Sequence, residues 1–389
     1  MLGASRHLLG ALLLAPLGVA QAEGPTAAGL DLLVGSYGAG IHHLRFATDS
    51  GQLSAPRLLA AAPNPSWLVL AADSRHLYAV NENGAGDQQP LGQVSAYRLS
   101  DKGVELQLLS RVASRGDHPT HARLSADGDF LFVANYAVTP QGSLAVLPVL
   151  QDGALGPPRQ VLASAHTLGP GQDPQRQTSS HVHAAVPSPD GEFVFAADLG
   201  QDRLYRYRYD PTQAQQPLQP ADPAWLALPA GSGPRHLVFS QDARFAYLTL
   251  ELSGQVMQLA YEQGHLRPLQ TLDLAPADFH GEQGAGALHL SADGRFLQVI
   301  NRGDDNHLSV FAVDPATGSL NLQQRVATGS RQTREFALSP DGRFLLLANQ
   351  AANELRVLPR NPQSGQLGAA IQRVALEAPS ALLFLPEQR

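Results

Sequence analysis

The sequence predicts one all-β domain, a seven-bladed β-propeller whose ring is closed by strands from both ends of the chain. Three observations carry this. A hairpin motif recurs six times, further alternating runs follow each copy, and the two chain ends hold complementary half-motifs. Composition agrees. The 36 Gly and 29 Pro in 389 residues favour many turns over long helices. A hydrophobic share of 43% against 16% charged residues suits a packed core rather than a disordered chain.

Taken in chain order, the first element is a leader. Arg6 and His7 precede an apolar run from Leu8 to Val19, and Ala20-Gln21-Ala22 places small residues where a signal peptidase reads. The run is shorter than the ~20 apolar residues of a bilayer span. Residues 1–22 are therefore expected to be a signal peptide cleaved before Glu23, and residues 23–389 the propeller domain. No later stretch reads as a membrane span, so the mature chain is expected in the periplasm.

Next comes Leu32 to Tyr37, which reads as the second strand of a blade that lacks its first. The repeats then begin. Each has an apolar run, Ser-x-Asp-Gly or a variant, and a second apolar run ending in a polar pair. The motifs start at positions 71, 125, 188, 240, 291 and 339. Those at Ser125, Ser188, Ser291 and Ser339 are complete, and those at Ala71 and Ser240 are degenerate. Asp-Gly supplies a hairpin turn because Gly tolerates φ > 0. Runs such as Leu204 to Tyr209 and Leu320 to Val326 read as third and fourth strands, and four strands in about 50 residues is the mark of a propeller blade. The step from 125 to 188 is long because Ser164 to Ser180 forms a polar, Gly/Pro-rich insertion containing Arg176. A long loop in a compact fold points to a covering role over a site. Last, Ser380 to Leu385 reads as a first strand without its second. Joined to Leu32–Tyr37 it completes the seventh blade and removes an open edge.

The hairpins select one face for chemistry. The residue five before each anchor and those ten and eleven after it meet at the end opposite the turn. The first position holds Ser66, Thr120, His183, Arg235, Gly286 and Arg334, with Ser380 in the composite blade. The second holds Asn81, Asn135, Asp198, Leu250, Asn301 and Asn349; the third holds Glu82, Tyr136, Leu199, Glu251, Arg302 and Gln350. A recurrent Asn at a strand end also serves as a backbone-satisfying turn residue. His183, Arg235, Arg334, Glu251 and Arg302 differ from their repeat equivalents, which a purely structural role would not require. A His or Glu can activate water, and several Arg can hold an anionic or polyhydroxylated substrate and an oxyanion. That chemistry suits metal-free lactone or ester cleavage, and also proton abstraction beside a carboxylate.

Other classes are disfavoured. The formal net charge of −7 argues against a nucleic-acid surface. The absence of Cys removes thiolate nucleophiles, disulfides and Cys-type metal sites. No nucleophile elbow, phosphate loop or dinucleotide fingerprint occurs. His42-His43 and His181-Val182-His183 do not form a metal motif, and no cofactor is expected.

The motifs His118-Pro119-Thr120-His121, Asn135-Tyr136, His181-Val182-His183, Gly233-Pro234-Arg235-His236, Leu250-Glu251-Leu252, Asn301-Arg302-Gly303 and Asn349-Gln350 resemble those of 6-phosphogluconolactonase-type propeller lactonases. That family includes carboxy-muconate lactonising enzymes and exported gluconolactonases, and the likeness covers the mature chain. It implies His183, Arg235, Glu251 and Arg302 as catalytic residues. Arg334, His121, Asn135, Glu82 and Asn349 are the candidate substrate-binding residues. Ala287 stands where relatives often carry an acidic residue. The resemblance together with export implies a sugar lactone as substrate, glucono-1,5-lactone foremost. The alternatives are a 6-phosphogluconolactonase, a lactonising isomerase and a non-catalytic binding module.

Overall fold

The computed structural model describes residues 29–84, 91–100, 104–136, 142–163 and 172–386. The expected signal peptide, residues 1–22, lies outside them. The described residues form seven four-stranded antiparallel sheets around a ring. Blade 1 is the composite one. It takes β1 (Gly29–Ser36), β2 (Gly40–Ala47) and β3 (Arg57–Ala61) from the start of the chain and β28 (Pro379–Phe384) from its end. β28 pairs with β1 from Leu32↔Phe384 to Gly35↔Ala381, as the half-motifs predict.

Every other blade is one consecutive four-strand meander. Blade 2 is β4–β7 (Trp67–Leu70, His76–Asn81, Gln93–Leu99, Leu106–Ala113) and blade 3 is β8–β11 (Pro119–Leu124, Phe130–Asn135, Ser143–Pro148, Gln160–Ala163). Blade 4 is β12–β15 (Val182–Pro187, Phe193–Asp198, Arg203–Tyr209, Leu218–Ala227) and blade 5 is β16–β19 (Pro234–Phe239, Phe245–Leu250, Gln255–Glu262, His265–Asp273). Blade 6 is β20–β23 (Gln283–Leu290, Phe296–Gly303, His307–Val313, Leu320–Ala327) and blade 7 is β24–β27 (Thr333–Leu338, Phe344–Asn349, Glu354–Pro359, Gln372–Ala375).

The apolar core lies between blades. Each of seven hydrophobic clusters joins two neighbours, such as Phe195 and Leu204 of blade 4 with Leu248 and Met257 of blade 5. This explains why the second strand of a repeat is an unbroken apolar run. β9 and β25 are buried along their whole length because both faces meet a neighbouring sheet. The closure is packed in the same way, with Phe46 against Phe344 of blade 7 and Phe384 of β28.

The Ser-x-Asp-Gly motif makes a self-satisfied loop. In blade 3 the Ser125 hydroxyl donates to Asp127 Oδ1 (2.5 Å) and accepts from Phe130 N–H (3.0 Å), while Gly128 N–H donates to the Ser125 carbonyl (3.0 Å). Gly128 has φ +81°, so the left-handed step falls on the glycine. Blade 5 keeps the loop with Ala243 at φ +57°, and blade 2, with Ala71 in place of the Ser, keeps the turn with Ser74 at φ +58°.

Candidate active site

Inner strands carry the candidate residues to the mouth through a shared irregularity. The register between first and second strands skips Thr120, His183, Arg334 and Ser380, and widens at Arg235-His236 and at Gly286-Ala287. These are β-bulges, which leave an extra residue unpaired and re-aim its side chain. The position five before each anchor is therefore the bulged residue or part of its pair in six blades; in blade 2 no shift occurs beside Ser66.

Glu251, immediately after β17, is the centre of the site. Arg235 Nε and Arg302 Nη2 each lie 2.9 Å from its Oε2, and Arg176 Nη2 hydrogen-bonds its Oε1 at 2.7 Å. The Glu251 side chain is 5% exposed, Arg235 1%, Arg302 12% and Arg176 44%. The guanidinium groups are thus graded from the interior to the opening. Burial alone would push the Glu251 carboxyl up, but the guanidinium groups of Arg302, Arg235 and Arg176 hold it well below the usual carboxylate range. Burial and the crowding of Arg302 and Arg334 push Arg235 down to about 9.

His183 approaches this cluster from blade 4. Burial, then Arg235, drive its imidazole well below the ordinary histidine value against the opposing pull of Glu251, so the ring is neutral at neutral pH. Its Nδ1 and the Nε of Arg302 are buried and carry no hydrogen bond among the described residues. Buried polar atoms are nearly always paired, and both of these residues line the same pocket.

A second cluster spans blades 1, 2 and 7. Tyr37 O–H donates to Glu82 Oε2 (2.6 Å), Ser66 O–H donates to the same oxygen, and Arg334 Nη2 stands 3.4 Å from it. Burial lowers Arg334, but Tyr37 and Glu82 outweigh it and hold the guanidinium above its usual value. Both clusters face one pocket of about 600 Å³, lined by Glu82, His183, Glu251, Arg302 and Arg334 among others.

The structure brings these five sequence-derived residues together at the pocket and separates four others from its lining. Arg235 is 1% exposed, lies against the Glu251 carboxylate and is absent from the pocket lining. His121 is buried below, its ring 4.5 Å from Trp67 and 5.5 Å from His236, and its Nδ1 accepts the Ala185 N–H. Asn135 and Asn349 are fully buried. Asn135 donates to the Ser114 carbonyl and the Ser143 hydroxyl; Asn349 donates to the Thr328 carbonyl and accepts from the Thr333 hydroxyl. Each ties its strand end to an adjoining loop, the turn-residue role that explains why Asn recurs.

Two further lining residues were not among the candidates, Tyr136 although it stands at a counted position and Arg176 because it lies outside the register. Tyr136 follows β9, and its ring stacks on His181 at 4.8 Å. Arg176 belongs to the insertion, of which residues 164–171 lie outside the described part. Asp173, Gln175 and Arg176 all line the pocket, in keeping with a covering role. The anomalous repeat step was the signal for Arg176. Among the described residues no group of three or more His, Asp or Glu is placed to hold a metal ion, and no helix is long and apolar enough to cross a membrane.

Residues 31–384 match the family model described as lactonase, 7-bladed β-propeller. The 6-phosphogluconolactonase of Bacillus subtilis (strain 168) is 32% identical over 350 residues, covering 89% of this chain and 94% of the relative. That of Formosa agariphila is 29% identical, covering 90% and 98%. Among solved structures, the periplasmic gluconolactonase PpgL of Pseudomonas aeruginosa superposes with a TM-score of 0.89 at 53% identity, covering 92% of this chain and 99% of that one.

Proposed function

Because the chain belongs to the seven-bladed β-propeller lactonase family, it is a lactone hydrolase, and we propose that it opens glucono-1,5-lactone to gluconate in the periplasm. The observation that carries the mechanism is the neutral, buried His183 beside an arginine-crowded Glu251 in one pocket. The 53% identity to a periplasmic gluconolactonase and the leader-like first 22 residues support the substrate and the compartment.

His183 is the base. Glu251 has its carboxylate oxygens taken by Arg235, Arg302 and Arg176, whereas the neutral imidazole of His183 keeps Nδ1 without a hydrogen bond among the described residues and so has a nitrogen to receive a proton. His183 takes a proton from water as the oxygen attacks the lactone carbonyl. The carbonyl π electrons move onto oxygen, and Arg302 neutralises the developing oxyanion. When the intermediate collapses, the ring C–O bond breaks and the imidazolium returns its proton to the departing alkoxide. Glu251 holds Arg302 in place, and the buried Arg235 fixes Glu251 from behind. Arg334 and Glu82 bind the hydroxyls on the far side.

Proton release from glucono-1,5-lactone and from its 6-phospho form, with spontaneous opening subtracted, tests the proposal on protein beginning at Glu23. The unphosphorylated lactone is expected to have the larger kcat/KM. A clear preference for the phosphorylated form would transfer the reading to 6-phosphogluconolactone, and activity on neither would replace it with a binding module.

A further inference from the structure

We propose that Arg176, delivered by the insertion between blades 3 and 4, is a specificity-determining residue that selects polyhydroxylated lactones over unsubstituted ones. This rests on the lactonase reading above and adds to Arg334 and Glu82 a further residue that reads the substrate's hydroxyls, at the opening of the pocket.

The insertion is built to present this side chain. Asp173 Oδ1 accepts the N–H groups of Gln175 and Arg176, both at 2.9 Å, and the Asp173 carbonyl accepts Gln177 N–H at 2.8 Å. Gln177 is buried, and its Nε2 donates to the Leu199 carbonyl at 2.9 Å, which nails the turn to blade 4. Ser180 O–H donates to Asp198 Oδ2 at 2.6 Å and fixes the far end. The turn is therefore a fixed wall of the pocket.

Position sets the role. Catalytic groups lie deep, with Glu251 5% and Arg302 12% exposed, while Arg176 stands at the opening at 44%. A lactone whose carbonyl reaches His183 and Arg302 must direct its opposite, hydroxyl-bearing edge toward that opening. Arg176 is already oriented, because its Nη2 donates to both Glu251 Oε1 (2.7 Å) and Tyr136 Oη (3.0 Å). Its Nε and Nη1 carry no hydrogen bond among the described residues, leaving donors in a fixed plane beside the pocket. Glu251 and Tyr136 keep the guanidinium firmly charged against the effect of burial. A charged donor aimed at a hydroxyl discriminates strongly against an analogue that lacks it.

The test compares glucono-1,5-lactone with δ-valerolactone, which has the same six-membered ring and no hydroxyls. In the Arg176→Ala protein, the ratio of the two kcat/KM values is expected to fall about 10- to 100-fold, mainly through KM for gluconolactone. Arg176→Lys should recover part of the ratio, because it restores charge without the planar fork. An unchanged ratio, whether both rates fall together or neither does, would overturn the proposal and leave Arg176 a structural tether. If the parent opens neither lactone, the functional reading fails by itself, and calorimetry with gluconate decides the inference. Weaker gluconate binding in Arg176→Ala than in the parent supports it; equal binding, or none by the parent, overturns it.

Discussion

The two ends of the inner hairpins follow opposite rules. At the turn end the same contact repeats: Ser Oγ donates to Asp Oδ1 at 2.5 Å in blades 3 and 4, 2.7 Å in blade 5 and 2.6 Å in blades 6 and 7. At the mouth end, apart from the recurrent Asn, the blades differ. His183, Arg235 and Arg334 occupy equivalent positions, as do Glu82, Glu251 and Arg302. Both ends are concave. Hollows of about 510 and 500 Å³ lie between blades at the turn end, yet their walls are these repeated loops, whose Asp groups are already taken by Ser hydroxyls or, at Asp73 in blade 2, by Arg75 N–H and His76. The mouth pocket is lined by charges drawn from different blades and by buried nitrogens that lack partners. In a repeat protein, what recurs holds the chain together, and what departs from the repeat is free to do chemistry.

This contrast predicts a separation between activity and stability. The largest effect is expected from His183→Ala, which should lower kcat by about 10²–10⁴ while circular dichroism shows the fold retained. Activity within a factor of about three of the parent, far below the usual loss of a general base, would break the comparison at its functional end.

At the turn end the effect should invert. Asp341 accepts from the Ser339 hydroxyl and the Arg343 N–H and pairs with the Arg343 side chain at 2.6 Å. Asp341→Ala is expected to cost about 1 kcal/mol of stability, read by urea denaturation, with kcat/KM preserved. The smallest effect sharpens the comparison within the repeat. Ala243 adopts the left-handed conformation its glycine counterparts take, so Ala243→Gly should raise stability by about 0.5–1 kcal/mol. A decrease would show that the loop's hydrogen bonds, rather than backbone strain, govern this turn.

Much of the mouth was legible because its residues obey the repeat register. His183, Glu251, Arg302, Glu82 and Arg334 were found by counting from an anchor. The same count failed for Asn135 and Asn349, since a residue at the right strand end can turn inward to tie up a neighbouring loop. His121, a candidate from the family-like motif rather than from the count, stands one residue beyond the bulged Thr120 and is buried beside Trp67. Arg235 stands at the expected end but is covered by Glu251, a distinction of depth that spacing along a strand does not encode. Arg176 follows no register at all.

By itself the sequence determined the blade number, the closure by both chain ends and the face on which unlike residues converge. These follow from local hydrogen bonding and from a periodicity that each repeat restates. Tertiary structure alone decided which converging groups reach the pocket and which stand behind it, and brought Arg176 to Glu251 across 75 residues of chain. The physical reason is that burial and ionisation depend on what other blades place alongside. Three guanidinium groups on one carboxylate come from two neighbouring blades and an insertion, and no local stretch of sequence contains that arrangement.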